Sequence, residues 1–310
     1  MSDKLTLAQT ICEATRYHCL HRNGVVMGQC LDMAGNVAGT VPSLTREQGL
    51  IELSMADVMA SGGAIGYALA DKWPIFVTRY QGFQAFNGAF FKNYAAKCKE
   101  IWGYNCPIFI RSIGMDGSGG VTIGPVASCA HHGEFIRIPG MTVVAPVTAK
   151  EWLSCYYWWL EHGGPIYCSE YRRSYPLTDE LPHILESNTD ITIFPISTTR
   201  LDAIEARKRL RQEGIRCGIV NLVWLKPFKM EEELMIDMLA SSKYGGLVLD
   251  TDFENGASKC IAADMMLKTN KKVHVLGLEE RTSGFAKHLD NLPPTTEKIA
   301  NYIKKIIENR

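Results

Sequence analysis

The sequence predicts an α/β protein: a mostly parallel sheet covered by helices, followed by a second α/β unit. Three observations carry this expectation. Short continuous apolar runs alternate with longer helical patterns, as strands buried on both faces require. A proline- and acid-rich break at 174–190 (SYPLTDELPHILESNTD) interrupts that alternation, which then resumes. At 310 residues the chain exceeds one ordinary domain.

In chain order, an amphipathic helix is expected over 7–21 and the first strand over 25–30 (VVMGQC). A helix of small residues over 57–70 follows, opening on Asp57, and aspartate is a favoured N-cap. Gly62 and Gly63 each cost about 1 kcal/mol inside that helix, so close packing, against this chain or a partner, is expected there. Strands at 74–80 (PIFVTRY), 107–112 (PIFIRS), 141–146 (MTVVAP) and 165–171 (PIYCSEY) are separated by helices at 86–102 and 149–162. The second series places strands at 191–196, 218–223, 246–250 and 273–278. Its helices are expected at 201–213, 231–241, 259–269 and 296–308.

Lys plus Arg and Asp plus Glu both count 33, so neither a nucleic-acid nor a membrane-surface footprint is present. Zero net charge favours self-association or a protein partner. The 10 cysteines form no C-x-x-C pair and no zinc spacing. They read as small buried thiols in a reducing cytosol. The N-terminal stretch lacks a signal-peptide core, and no apolar run reaches the ~18 residues of a membrane span. A cytoplasmic location is therefore expected.

Ligands of open α/β sheets sit beyond the carboxyl ends of the strands. The glycine-rich 114–124 (GMDGSGGVTIG) follows one such strand and carries Asp116, a candidate for a loop, an ion or substrate. It fits neither a Walker loop nor a dinucleotide fingerprint. Arg79, Arg172 and Arg173 also lie at strand ends, where they could hold a carboxylate or phosphate or form surface ion pairs.

The ordered segments carry a family resemblance. They are 25–29 (VVMGQ), 51–68 (IELSMADVMASGGAIGYA), 93–97 (NYAAK), 139–146 (PGMTVVAP), 165–173 (PIYCSEYRR), 219–228 (IVNLVWLKPF) and 289–299 (LDNLPPTTEKI). Together they resemble the beta subunit of the thiamine diphosphate-dependent first component of 2-oxo-acid dehydrogenases, and equally the carboxy-terminal half of transketolase. The resemblance implies a pyrimidine-binding domain over 1–173, a linker over 174–190 and a transketolase-type C-terminal domain over 191–310. It implies thiamine diphosphate and Mg²⁺ as cofactors and a ketose or 2-oxo acid as substrate. The family's Gly-Asp-Gly…Asn diphosphate motif is missing. The metal and diphosphate are therefore expected on an alpha-type partner subunit, in an α2β2 heterotetramer.

The same resemblance assigns residues. Asp57 falls where the family has the glutamate that bonds the cofactor's aminopyrimidine nitrogen, one methylene shorter, and Glu52 is the alternative acid. Phe83 aligns with the aromatic that stacks on that ring, and Tyr80 lies nearby as a second wall or a core residue. The family's active-site histidine falls on Ala127; His131 and His132 are the candidates to replace it, or else a helix-face pair. Gln29 stands where an acid is usual, and Ala89 and Phe90 stand where the dehydrogenase branch has Asp-Gln. These departures keep a second expectation open, a non-catalytic scaffold or regulatory homologue.

Overall fold

A computed structural model describes residues 4–33, 35–116, 124, 126–228 and 232–309. The chain forms two compact units, one of residues 1–115 and 126–180, the other of 116–125 and 181–310. Both units have the parallel α/β architecture expected from the alternation of strands and helices.

The first unit runs α1 (Leu7–His21), β1 (Gly24–Gly28), α2 (Asn36–Gly39), β2 (Leu50–Glu52), α3 (Asp57–Leu69) and β3 (Trp73–Thr78). It continues through α4 (Gln84–Asn93), α5 (Cys98–Trp102), β4 (Phe109–Gly114), α6 (Gly133–Ile136), β5 (Thr142–Val144), α7 (Ala149–His162) and β6 (Ile166–Tyr171). Local chemistry sets the helix starts. Thr6 caps α1 and Thr148 caps α7, each in a reciprocal capping box with Gln9 and Glu151, which satisfies two otherwise orphaned backbone donors. The short α2 is irregular, with Val37 and Ala38 in left-handed conformation.

Within this unit the strand order is β2-β1-β3-β4-β6-β5, and every neighbouring pair is parallel. All five residues of β1 and all six of β4 and β6 are buried, as a sheet covered on both faces demands. Between β4 and β6 lies a buried ion pair. Arg111 Nε and Nη2 donate to the two Glu170 oxygens at 2.7 and 2.8 Å. Trp152 and Tyr175 donate to the same carboxylate at 3.0 and 2.7 Å. A buried pair is tolerable only when such extra bonds offset its desolvation.

The second unit contains β7 (Ile191–Pro195), α8 (Thr199–Gln212), β8 (Cys217–Ile219), β9 (Trp224–Lys226), α9 (Glu232–Ala240), β10 (Gly246–Phe253), α10 (Ala257–Thr269), β11 (Val273–Leu278) and α11 (Thr296–Glu308). Four strands pair in the order β11-β10-β7-β8, all parallel. Ile191, Ile193, Leu247 and Leu249 meet Ala203, Leu210, Ile299 and Ile303 in its core.

Three local features differ from expectation. The helix expected over 86–102 is broken: the chain leaves α4 at Tyr94, makes a single 3₁₀ turn over Ala95–Lys97 and restarts as α5. The break carries Ala95 and Ala96 into the core. The three-residue β2 has too short a pattern to stand out in sequence. The 174–190 segment is docked, since Leu177 O accepts from Leu7 N at 2.8 Å, and Ile184 exchanges backbone bonds with Ile219.

Candidate functional site

The first sheet has a topological switch point. From β1 the chain goes to β2 on one side and β3 on the other. In such sheets ligands bind outside the carboxyl ends of the two strands at the switch point, here β1 and β3. The segments that follow β1, β2, β3, β4 and β6 meet at this edge, and most of the residues singled out from sequence lie on them.

Glu52 ends β2 and turns its carboxylate onto the loop after β1. It accepts from the backbone N–H groups of Cys30, Leu31 and Asp32 at 2.5, 2.6 and 3.3 Å. Such a nest holds a carboxylate strongly, so Glu52 is committed to shaping the loop. Arg79 Nη1 donates to Cys30 O at 3.4 Å and ties the β3 end to the same loop. Gln29 donates to Ser54 O at 3.3 Å. Asp57 is the first residue of α3; the N-cap is Ala56, with no side-chain cap. The side chain of Asp57 lies outside the described part of the structure.

Tyr80 and Phe83 follow β3 and sit together, with ring centroids 5.9 Å apart and planes tilted by 43°. Both are half-buried. The Arg172 guanidinium lies over the Tyr80 ring at 5.4 Å, close enough for a cation–π attraction. Arg172 Nε and Nη2 are buried without a hydrogen-bond partner among the described residues. Gly82 stands between the rings because a Cβ there would lie 2.5 Å from Val126 O. Only glycine lets the 126–131 segment cross so closely.

The histidine pair divides. His132 is fully buried, and its Nδ1 meets Ser169 Oγ at 3.1 Å; it packs inside the unit. His131 keeps 21% of its side chain exposed. Its Nε2 lies 3.5 Å from Cys129 Sγ and its Nδ1 3.9 Å from Glu134 Oε1. Burial holds the His131 pKa below its ordinary value, partly opposed by Glu134 and reinforced by His132 and Lys92.

Gln81 was missed from sequence. It is fully buried, and its amide accepts from His131 N at 2.7 Å and Tyr167 Oη at 3.0 Å. It donates to Ser169 Oγ at 2.9 Å, Ser112 O at 3.2 Å and Glu170 O at 3.3 Å. No pattern marks it; the one available signal was an amide set between two aromatics just past a buried strand.

The structure thus gathers Arg79, Tyr80, Phe83, His131, His132 and Arg172 in the first unit. Asp116 groups with the second unit, and residues 117–123 of the glycine loop lie outside the described residues. Among the described residues no cluster of three or more His, Cys, Asp or Glu could hold a metal ion, and no helix is long and apolar enough to cross a membrane.

Comparison with known proteins follows the same order of parts. Residues 7–178 match the transketolase pyrimidine-binding domain and residues 182–299 the transketolase C-terminal domain. The chain is 29% identical over 173 residues to 1-deoxy-D-xylulose-5-phosphate synthase 1 of Geobacter sulfurreducens. That match covers 49% of this chain and 26% of the synthase, so the chain spans about a quarter of that relative. It is 23% identical over 277 residues to the pyruvate dehydrogenase E1 component subunit beta of Rickettsia felis, covering 83% of each. A solved structure described as a split gene transketolase, inactive beta4 tetramer, superposes with a TM-score of 0.73 at 18% identity. It covers 98% of this chain and 99% of its own. With both domain types matched in sequence and in order, the chain belongs to the transketolase family, as a pyrimidine-binding domain followed by a transketolase C-terminal domain.

Proposed function

We propose that this chain is the beta-type subunit of a thiamine diphosphate-dependent enzyme that cleaves a ketose or 2-oxo acid and transfers a two-carbon or acyl unit. The observation that carries the reading is the pair of half-buried rings, Tyr80 and Phe83, at the β1/β3 switch point. Those rings fit a flat heteroaromatic group, with Phe83 as the stacking face. When bound, thiamine diphosphate supplies a nucleophilic carbon that adds to a carbonyl and takes up the electron pair released when the adjacent bond breaks.

The chain's own residues take the remaining tasks. Asp57, at the start of α3, accepts a hydrogen bond from the aminopyrimidine. The two unpartnered nitrogens of Arg172, Nε and Nη2, suit a substrate carboxylate or phosphate. His131, partly exposed at the strand edge, moves protons to and from substrate oxygens. Its neighbour His132 is too deeply buried to touch substrate, which supports His131 as the member of the pair that does. The diphosphate and Mg²⁺ are proposed to sit on an alpha-type subunit, in an α2β2 assembly, because no Gly-Asp-Gly…Asn motif occurs in this sequence. The related split-gene transketolase in an inactive beta4 tetramer supports that need for a second chain.

A scaffold reading is favoured by specific departures, Gln29, Asp57 and Ala127 at positions where the family carries an acid, a glutamate and a histidine. Calorimetric titration of thiamine diphosphate with Mg²⁺ separates the two. The chain is titrated alone and after co-purification with its partner, with carbon–carbon cleavage assayed in parallel. Binding and cleavage only in the complex, both lost in Asp57→Ala, is the expected result. No binding by either form makes the scaffold reading correct.

A further inference from the structure

We propose that Gln81, Cys129 and Glu134 are positioning residues that hold the His131 imidazole at the ligand edge of the first sheet as the site's acid–base group. The inference rests on the function proposed above and adds the parts that sequence did not suggest.

The backbone of His131 is fixed first. Gln81 Oε1 accepts from His131 N at 2.7 Å. Gln81 is itself held by Tyr167, Ser169, Ser112 and Glu170, on the adjacent strands β4 and β6. A fully buried amide with this many partners has no freedom to move. The loop that carries His131 is thereby fastened to the strand ends that frame the site. The same segment crosses Gly82, two residues beyond Tyr80 and one before Phe83. Gln81 therefore sets the aromatic wall and the histidine in one piece.

The ring is fixed next. Cys129 Sγ lies 3.5 Å from Nε2, and Glu134 Oε1 lies 3.9 Å from Nδ1 on the opposite side. A carboxylate beside Nδ1 favours a proton there, and Nε2 then faces the thiol as the acceptor. Cys129 reaches this place with its backbone at φ +74°, a conformation that costs a non-glycine residue energy. Its carbonyl lies 3.1 Å from where a Cβ on Gly114 would stand, so a glycine at the end of β4 gives this segment room to pass. The charges facing the ring are Glu134 on its own segment, His132 beside it and Lys92 from α4. Lys92 is paired with Glu134 at 2.8 Å.

His132 shows the contrast. Gln81 Nε2 donates to Ser169 Oγ, so the Ser169 hydroxyl proton can be given to His132 Nδ1. That leaves His132 Nδ1 as an acceptor on a buried ring whose work is to support the same network. One histidine of the pair is a strut and the other is the tool.

The test uses the full-length chain, in complex with its partner for kinetics. Ring ¹⁵N-NMR reports the pKa and tautomer of His131, and the pH dependence of kcat/KM is recorded alongside. Glu134→Gln leaves the fold untouched, since that side chain is 45% exposed. It is expected to lower the His131 pKa by about one unit and to move the matching limb of the kcat/KM profile by the same amount. Cys129→Ala is expected to shift the Nε2 resonance and the tautomer balance. Gln81→Met is expected to lower kcat at least tenfold with KM little changed, with near-native far-UV dichroism. If Gln81→Met does not fold, Glu134→Gln decides. An unchanged His131 titration in Glu134→Gln and Cys129→Ala overturns the positioning roles. A shifted titration with an unmoved kinetic profile overturns the acid–base role while leaving thiamine-dependent cleavage intact. No activity in any complex removes the function reading and the acid–base role with it, and that result is distinct from both others.

Discussion

At the residue scale, burial decides which polar groups are structural and which are available. His18 is fully buried, with Nε2 2.7 Å from Trp73 O and Nδ1 2.9 Å from Tyr156 Oη. A neutral ring that donates through Nε2 and accepts at Nδ1 satisfies both. Burial pushes its pKa down to about 4 from 6.5. The unfolded chain therefore binds a proton from pH 6.5 downward that the folded chain refuses until about pH 4. Stability is unaffected above that window and falls through it, by roughly 3 kcal/mol in total. Urea denaturation at about pH 7.5, 5.5 and 4.5 checks this; His18→Gln is expected to flatten that part of the profile. The Arg111–Glu170 pair behaves differently, because all its bonds are internal. Arg111→Met leaves a buried carboxylate without its partner, at a cost of about 3–5 kcal/mol, read from the same denaturation curves. Phe83 is exposed enough to serve a ligand. Phe83→Ala is expected to weaken thiamine diphosphate binding by the complex about five- to tenfold, for a stacking loss of ~1–1.5 kcal/mol. Calorimetry giving wild-type affinity would remove Phe83 from the site.

At the element scale, long apolar periodicities could be read from sequence and short or composite elements could not. The helix over 296–308 matches α11 (Thr296–Glu308), and 149–162 matches α7, since each has a threonine cap and a clear apolar stripe. The 86–102 helix failed because its pattern continues through Asn93 while tertiary packing pulls Ala95 and Ala96 inward. For the site, aromatics and arginines at strand ends were legible because strand ends are where ligands gather. Gln81 and Cys129 were not, because their roles come from partners 31 to 89 residues away or from a φ angle that sequence does not display. Helix α3 makes a further element-level prediction. A Cβ on Gly62 would meet the Phe90 ring at 3.3 Å, whereas one on Gly63 would meet only Met27 Cε at 3.8 Å. Gly63→Ala is therefore expected to stabilise the isolated chain by about 0.5–1 kcal/mol through helix propensity. Gly62→Ala is expected to gain less or to lose stability. Equal gains would mean that Phe90 moves aside freely.

At the scale of the whole molecule, charge and exposed apolar surface act together. The chain carries 33 basic and 33 acidic side chains, so no net charge keeps copies apart near pH 7. On the first unit, Met55, Val58, Met59 and Phe86 are 70, 48, 71 and 50% exposed. Met55 lies two residues before α3, Val58 and Met59 lie at its start, and Phe86 stands on α4, which packs against α3. A Cβ on Gly66 would meet nothing within 4 Å and one on Gly63 only Met27 Cε at 3.8 Å, and small residues let another backbone approach closely. Monomeric proteins rarely expose apolar residues in such a group. The chain alone is therefore expected to sediment above its 34.5 kDa monomer mass at neutral pH. Met59→Lys places a charge in the middle of that face, where an interface would have to desolvate it. Sedimentation equilibrium is expected to show the variant shifted toward 34.5 kDa with unchanged far-UV dichroism. A wild-type chain that sediments as a monomer, or a variant that associates as before, would mean that α3 and α4 do not join two copies of this chain.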